Sequence, residues 1–448
     1  MNFKIFISLL LCITFSLQAQ KTEELTYKKG DILMQLSERV EAEAIAKRYA
    51  EHGLRLEKRI SKHMNVYLYR FDADACSHDN FLDLLERDDE VIIAQNNHII
   101  RKRQTFPTES VPWPMHNTAT DADIDAPEAW DYAIGDSTAL GDPIVIAVFD
   151  GPFDLSDLDR NYWKNDNEIP DNGIDDDGNG YVDDYEGWNS VFDTDSVSLG
   201  VGHGHSVAGR ASRINNNGGG TAGLLWNVRV MPIDVFNGSL SLESYVMEAF
   251  DYVINERMIY DATNGVDGSF IVSTNHSYGG AGAPSTAPLW CGAYATAGAV
   301  GILSAGATLN SYTFVDINNG TPDLPTSCPE DHLITVTQTD NVDEQKTSGY
   351  GAIDIDLGSP SEGSTSMATP LVTGSVALLL SAACPSFVTE YKNKPDSMAL
   401  VIKDYIMRGV DPAADLQGTT VSGGRLNLFN SVALLLSENC GQSFPPIV

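Results

Sequence analysis

Five nearly continuous apolar runs constrain this fold more than any other feature: Ile144 to Phe149, Val228 to Val235, Phe270 to Ser273, Val300 to Ala305 and Leu333 to Thr337. A strand with one wet face alternates apolar and polar residues, whereas a strand of a parallel sheet is covered on both faces and is apolar throughout. Between the runs lie amphipathic stretches such as Glu243 to Glu256, whose Val246, Ala249, Phe250, Val253 and Ile254 form one helical stripe. The expectation is an α/β body over residues 118–440, a three-layer parallel sheet with helices on both faces.

The segments ahead of that body read differently. Lys4, the apolar run Ile5 to Phe15 and the stretch Ser16 to Ala19 read as a secretory signal over residues 1–19, too short to span a membrane. Residues 20–105 read as a small α+β unit. Its expected strands are Asp31 to Leu36, Asn65 to Phe71 and Val91 to Ile100, and its expected helices Glu41 to His52 and Asp79 to Arg87. Arg101-Lys102-Arg103 leads into residues 106–117, where Pro107, Pro112 and Pro114 suggest a protease-accessible linker. Residues 441–448 form a short tail.

The formal net charge is −34. Residues 1–105 carry 16 basic and 16 acidic side chains, so the whole excess belongs to residues 106–448. Such a body disfavours nucleic acid and acidic membrane surfaces and attracts cations. No later segment reaches the apolar length of a membrane span. Of six cysteines, Cys12 leaves with the signal and Cys76 is expected to stay single. Cys291, Cys328, Cys384 and Cys440 allow three pairings, of which Cys291 with Cys328 and Cys384 with Cys440 would staple neighbouring segments. Secretion, or a periplasmic or cell-surface location, is expected.

In parallel sheets functional groups collect at the carboxyl ends of strands. Asp150 ends the run Ile144 to Phe149; His203 lies in Gly202-His203-Gly204-His205-Ser206-Val207-Ala208-Gly209; Ser366 lies in Gly363-Ser364-Thr365-Ser366-Met367-Ala368-Thr369-Pro370 ahead of an apolar helix. These three motifs, in the order Asp, His, Ser, resemble those of the subtilisin-like serine peptidases, HGHSVAG being similar to HGTHVAG and STSMATP to GTSMATP. The resemblance covers nearly the whole body and implies a subtilisin-like fold. It implies an exported serine endopeptidase acting on peptides or proteins through an Asp150-His203-Ser366 triad and an acyl-enzyme. Residues 20–105 resemble the family's inhibitory propeptide, ferredoxin-like in fold, acting as an intramolecular inhibitor. The signal, propeptide and motif wording resemble those of Bacteroidota proteins, in which a sorting domain often follows the catalytic body. Only GQSFPPIV follows Cys440, so the expectation is another export route or a missing C-terminal piece.

The resemblance also assigns the cleft. Asn275 to Gly280 is similar to the family's substrate-binding edge NxSxGG, implying Ser277, Tyr278 and Gly279 as substrate contacts, with Ser304 to Gly306 as the opposing wall of the first specificity pocket. The helix start at Thr365 and Ser366 would aim backbone N–H groups at an oxyanion. Two departures stand out. Ala307 occupies the place of the family's oxyanion asparagine, with Asn310 three residues on as a replacement; Ser364 stands where the family has glycine and would narrow the cleft. The Ala307 departure keeps open a peptide-binding pseudoenzyme, and a calcium-dependent extracellular module is a third class.

Residues 175–186 fit the calcium-loop pattern D-x-[DN]-x-[DN]-G-x5-E, with Asp175, Asp177, Asn179, Asp183 and Glu186 as expected ligands and Gly180 at the turn. The flanks lack the paired helices of an EF-hand, so an isolated loop holding a structural Ca²⁺ is expected.

Overall fold

The structure, a computed structural model, describes residues 27–98 and 107–444, except Glu38, His63, Thr108, Leu158, Asp159, Ser198, Leu199 and Gly219. The expected signal, the basic run Arg101-Lys102-Arg103 and residues 445–448 lie outside the described residues. The chain divides into two compact units, Met1–Lys102 and Arg103–Val448.

The first unit runs β-α-β-β-α-β: strands Tyr27–Leu36, Arg55–Ser61, Val66–Arg70 and Val91–His98, with helices Ala42–Arg48 and His78–Leu85. The second strand pairs with the third, the third with the first and the first with the fourth, all antiparallel. Ile32, Met34 and Leu36 alternate onto the helical side, where they meet Ile45, Phe81 and Leu85. Arg55–Ser61 was not expected as a strand because its sequence, RLEKRIS, carries no apolar face. It lies at the sheet edge, where charged side chains discourage further pairing.

In the second unit a nine-stranded sheet runs, in spatial order, Asp411–Pro412, Gly424–Arg425, Leu357–Pro360, Leu333–Thr339, Leu303–Ala307, Phe270–His276, Ile144–Asp150, Arg229–Asp234 and Trp188–Asn189. All neighbours are parallel except at the Asp411–Pro412 edge. The continuous apolar runs are explained by the pleat of the central strand. Ile144, Ile146 and Val148 pack on one face with helices His203–Ala211, Thr365–Ala382 and Leu428–Asn439, while Val145, Ala147 and Phe149 pack on the other with Glu243–Thr263 and Pro288–Ala299. The body is the expected three-layer α/β arrangement.

Local differences have local causes. The strand expected from Val300 begins at Leu303, because Val300 caps the helix Pro288–Ala299 and Gly301 turns at φ +88°. The described part of the expected linker is tied into the body. Glu109 accepts the amides of Asn216, Asn217 and Gly218, and Met115 is fully buried in the body's core. Disulfides join Cys291 to Cys328 and Cys384 to Cys440, and Cys76 is free. Among the described residues one helix, Thr365–Ala382, is long and apolar enough to cross a membrane, but 83% of that window is buried inside the fold.

Candidate active site

Asp150 closes the Ile144–Asp150 strand with its carboxylate 1% exposed, held by the Gly151 amide at 2.8 Å. His203 opens the helix His203–Ala211 and places Nδ1 2.9 Å from each Asp150 oxygen. That approach needs the glycines around it, since a Cβ on Gly204 would stand 2.7 Å from the Gly151 nitrogen. The Asp150 hydrogen bond raises His203 above the ordinary imidazole value, with burial opposing it. Burial raises the Asp150 carboxyl, and the bond from His203 opposes that.

Ser366 is the second residue of Thr365–Ala382, which packs against the His203–Ala211 helix. Its position in the first turn leaves its amide without a helical acceptor. The Ser366 hydroxyl donates to the Ser277 carbonyl at 3.2 Å, and the Ser277 hydroxyl donates to the Ser366 carbonyl at 2.9 Å. The Thr365–Ala382 helix and the Ser277 segment are thus locked together.

Ser366 opens into a cavity of 400 Å³. Ser277 to Ala281 form one wall and Ala307 to Asn310 the other, with Thr321 to Asp323 as base. Ser277, Tyr278, Gly279, Asn310 and Thr365 all line it, as expected. Ser304 and Gly306 do not. Ser304 is buried against the Thr274 hydroxyl, and Gly306 lies over Pro325, so the opposing wall begins at Ala307. After Ala307 the chain turns and brings Asn310 to the helix start, where Thr365 donates its amide (3.0 Å) and hydroxyl (3.2 Å) to Asn310 Oδ1. A backbone N–H can only donate, so these bonds fix the amide orientation and leave Nδ2 as the free-facing donor. Ser364 has ordinary extended backbone, φ −154°, and lines a neighbouring cavity of 970 Å³ instead of narrowing this one.

The subtilase family, Peptidase_S8, matches residues 141–423, more than half of the chain. The chain belongs to the subtilase family. It is a serine-type peptidase. No curated protein matches it. Solved structures do: the epidermin leader peptide processing serine protease of Staphylococcus aureus is 14% identical, with 93% of this chain and 99% of that one covered at a TM-score of 0.51. A protease of Pseudoalteromonas arctica is 21% identical, with 73% and 99% covered at a TM-score of 0.49. The first of these supports the fold alone.

Subtilase motifs do not account for His205, which sits in the same helix turn as His203. It is 6% exposed, within 3.2 Å of Arg160 Nη2 and the Tyr162 hydroxyl, and burial beside Arg160 lowers it below the ordinary imidazole value. It packs the helix in place.

The acidic loop folds without flanking α-helices, around Gly178 (φ +74°) and Gly180 (φ +99°). Carboxylate oxygens of Asp175 and Asp177 lie within 4.8 Å of one another and of Glu168, a residue outside the sequence pattern. Asn179 Nδ2 donates to Asp184 and to Glu256 on the helix Glu243–Thr263. Asp183 and Glu186 are directed elsewhere. Asp183 accepts the amides of Asn172 and Gly173, and Glu186 pairs with Lys164. The loop pattern names none of Glu168, Asp184 and Glu256: Glu168 precedes the twelve residues, Asp184 stands at a position the pattern leaves open, and Glu256 is on a distant helix. Burial and neighbouring acids push Asp184 up to about 6 and Glu256 up to about 8.

Proposed function

We propose that this subtilase is an exported endopeptidase that cleaves peptide bonds through an Asp150-His203-Ser366 triad and an acyl-enzyme. The observation that carries this is the pair of 2.9 Å bonds from His203 Nδ1 to Asp150, which leave Nε2 as the ring nitrogen that would take the Ser366 proton. The Ser366 oxygen attacks the substrate carbonyl carbon while His203 takes its proton; the oxyanion accepts from the Ser366 amide and Asn310 Nδ2. Collapse expels the amine, protonated by His203, and water then repeats the sequence on the acyl-enzyme. Two disulfides support an oxidising destination, outside the cytoplasm. Turnover of a casein-type substrate, abolished by Ser366→Ala and by His203→Ala, tests the reading.

The first unit is proposed as an inhibitory propeptide, on the strength of its separate core and the absence of catalytic groups in its described part. Adding purified residues 20–105 to the active body should inhibit it, and Ser366→Ala protein should keep the unit attached if maturation is autocatalytic.

A bound calcium ion is proposed at the acidic loop. The residues fit: Glu168 Oε2 and Glu256 Oε2 are buried without a hydrogen-bond partner, and oxygen-only donors suit Ca²⁺. Glu168, Asp175 and Asp177 would hold it, and its chemistry there would be charge neutralisation and loop ordering.

A pseudoenzyme reading is favoured only by Ala307; the turn that brings Asn310 to the helix start supports the active reading.

A further inference from the structure

Asp323 lies at the base of the Ser366 cavity, 3% exposed. It pairs across a two-residue antiparallel bridge with Ala281, so base and substrate edge are one rigid piece. Close approach at this point depends on glycine, since a Cβ on Gly279 would stand 2.3 Å from the Leu324 carbonyl oxygen. Three donors converge on one carboxylate oxygen, Oδ2: the Thr326 hydroxyl at 2.8 Å, the Leu309 amide at 3.0 Å and the Thr308 hydroxyl at 3.3 Å. Oδ1 has no hydrogen-bond partner among the described residues, which leaves it as the oxygen facing the cavity. Nor does any Lys, Arg or His of the described residues pair with Asp323. Burial pushes its carboxyl up to about 6, so it is ionised at neutral pH.

A buried carboxylate with one satisfied oxygen and no cation is costly unless a ligand supplies the missing charge. We infer that Asp323 is the specificity determinant of this pocket, and that the enzyme cleaves after lysine or arginine, whose cationic head meets Asp323 Oδ1. The inference rests on the peptidase reading above and names its substrate class. The remaining lining near the base, Thr321 and Pro322, carries no opposing positive charge. The acidic excess of the body adds long-range attraction for basic peptides. The chain also carries a matching sequence of its own: Arg101-Lys102-Arg103, its only run of three consecutive basic residues, falls at the junction of the two units.

The test is a series of fluorogenic peptides differing only in the residue before the scissile bond: Lys, Arg, Gln, norleucine and Glu. Wild-type kcat/KM should favour Lys and Arg over Gln and norleucine by about 100-fold. Asp323→Asn, whose amide oxygen can keep the three bonds to Oδ2, should erase most of that ratio by lowering kcat/KM for Lys and Arg. Efficient cleavage with equal or better rates for norleucine overturns the pocket assignment and leaves the peptidase reading intact. If no peptide is cut, binding decides: Ser366→Ala protein should hold a peptide ending in Arg about 100-fold more tightly than its norleucine counterpart. Equal affinities overturn the assignment whatever the fate of catalysis.

Discussion

Thr365 donates both its amide and its hydroxyl to a single atom, Asn310 Oδ1, at 3.0 and 3.2 Å. The two bonds take up Oδ1 and leave Nδ2 as the amide's remaining polar group on a residue that lines the Ser366 cavity. On the proposed mechanism, Asn310 would supply from three residues downstream the side-chain donor that Ala307 lacks. Asn310→Ala should lower kcat by about 100- to 1000-fold with little change in KM, because an oxyanion donor acts only in the transition state. A variant that keeps wild-type kcat shows that backbone donors suffice.

The His203–Asp150 bonds set a pH dependence. A base must be neutral to accept the Ser366 proton, and His203 is held above the ordinary imidazole value of about 6.5 by its bond to Asp150. Activity is therefore lost as pH falls through the raised value, and the acid limb of kcat/KM should lie above that of an unassisted imidazole. Asp150→Asn should move the limb down and cut kcat by about ten-thousand-fold. An acid limb unmoved by this substitution would assign it to another group.

Calcium should act on stability more than on chemistry. If the ion binds the folded loop alone, millimolar calcium should raise Tm and a chelator lower it. The arrangement of carboxylates makes the test specific: Glu168→Gln with Asp177→Asn should remove the shift, while Glu186→Gln, directed to Lys164, should leave it. The reverse pattern would favour the ligand set expected from the loop spacing.

The Cys291–Cys328 bond closes 37 residues that include both the Ala307 to Asn310 wall and the Asp323 base of the cavity. Replacing both cysteines by serine should cost about 3 to 4 kcal/mol in urea unfolding, from the freed unfolded chain. KM should also rise, since the strip carrying Asp323 loses its anchor to the helix Pro288–Ala299. Unchanged KM with lowered stability would confine the bond to a folding role.

The parallel body was legible because burial on both faces of Ile144–Asp150 forces an unbroken apolar run, and Asp150, His203 and Ser366 could be singled out as candidates because short motifs surround each one. Arg55–Ser61 was not, because an edge strand needs no apolar face. The cavity was legible only on one side. Its Ser277 to Gly279 edge follows a motif, whereas Asp323 comes from a loop whose placement depends on a two-residue pairing with Ala281 and on the disulfide at Cys328. Nothing in the stretch Thr321-Pro322-Asp323 marks it as the base of a pocket. The acidic loop illustrates the same limit, since spacing identified Asp175 and Asp177 but tertiary packing brought in Glu168 and Glu256.

Reaction with a fluorophosphonate is the most direct test of the central claim, because the reagent labels a serine only where a neighbouring base activates it. Wild-type protein freed of its first unit should take up one equivalent at Ser366, located by peptide mass mapping, and His203→Ala and Ser366→Ala proteins should take up none. Absence of labelling in folded wild-type protein, or labelling that persists in Ser366→Ala, would contradict the assignment of Ser366 as the nucleophile.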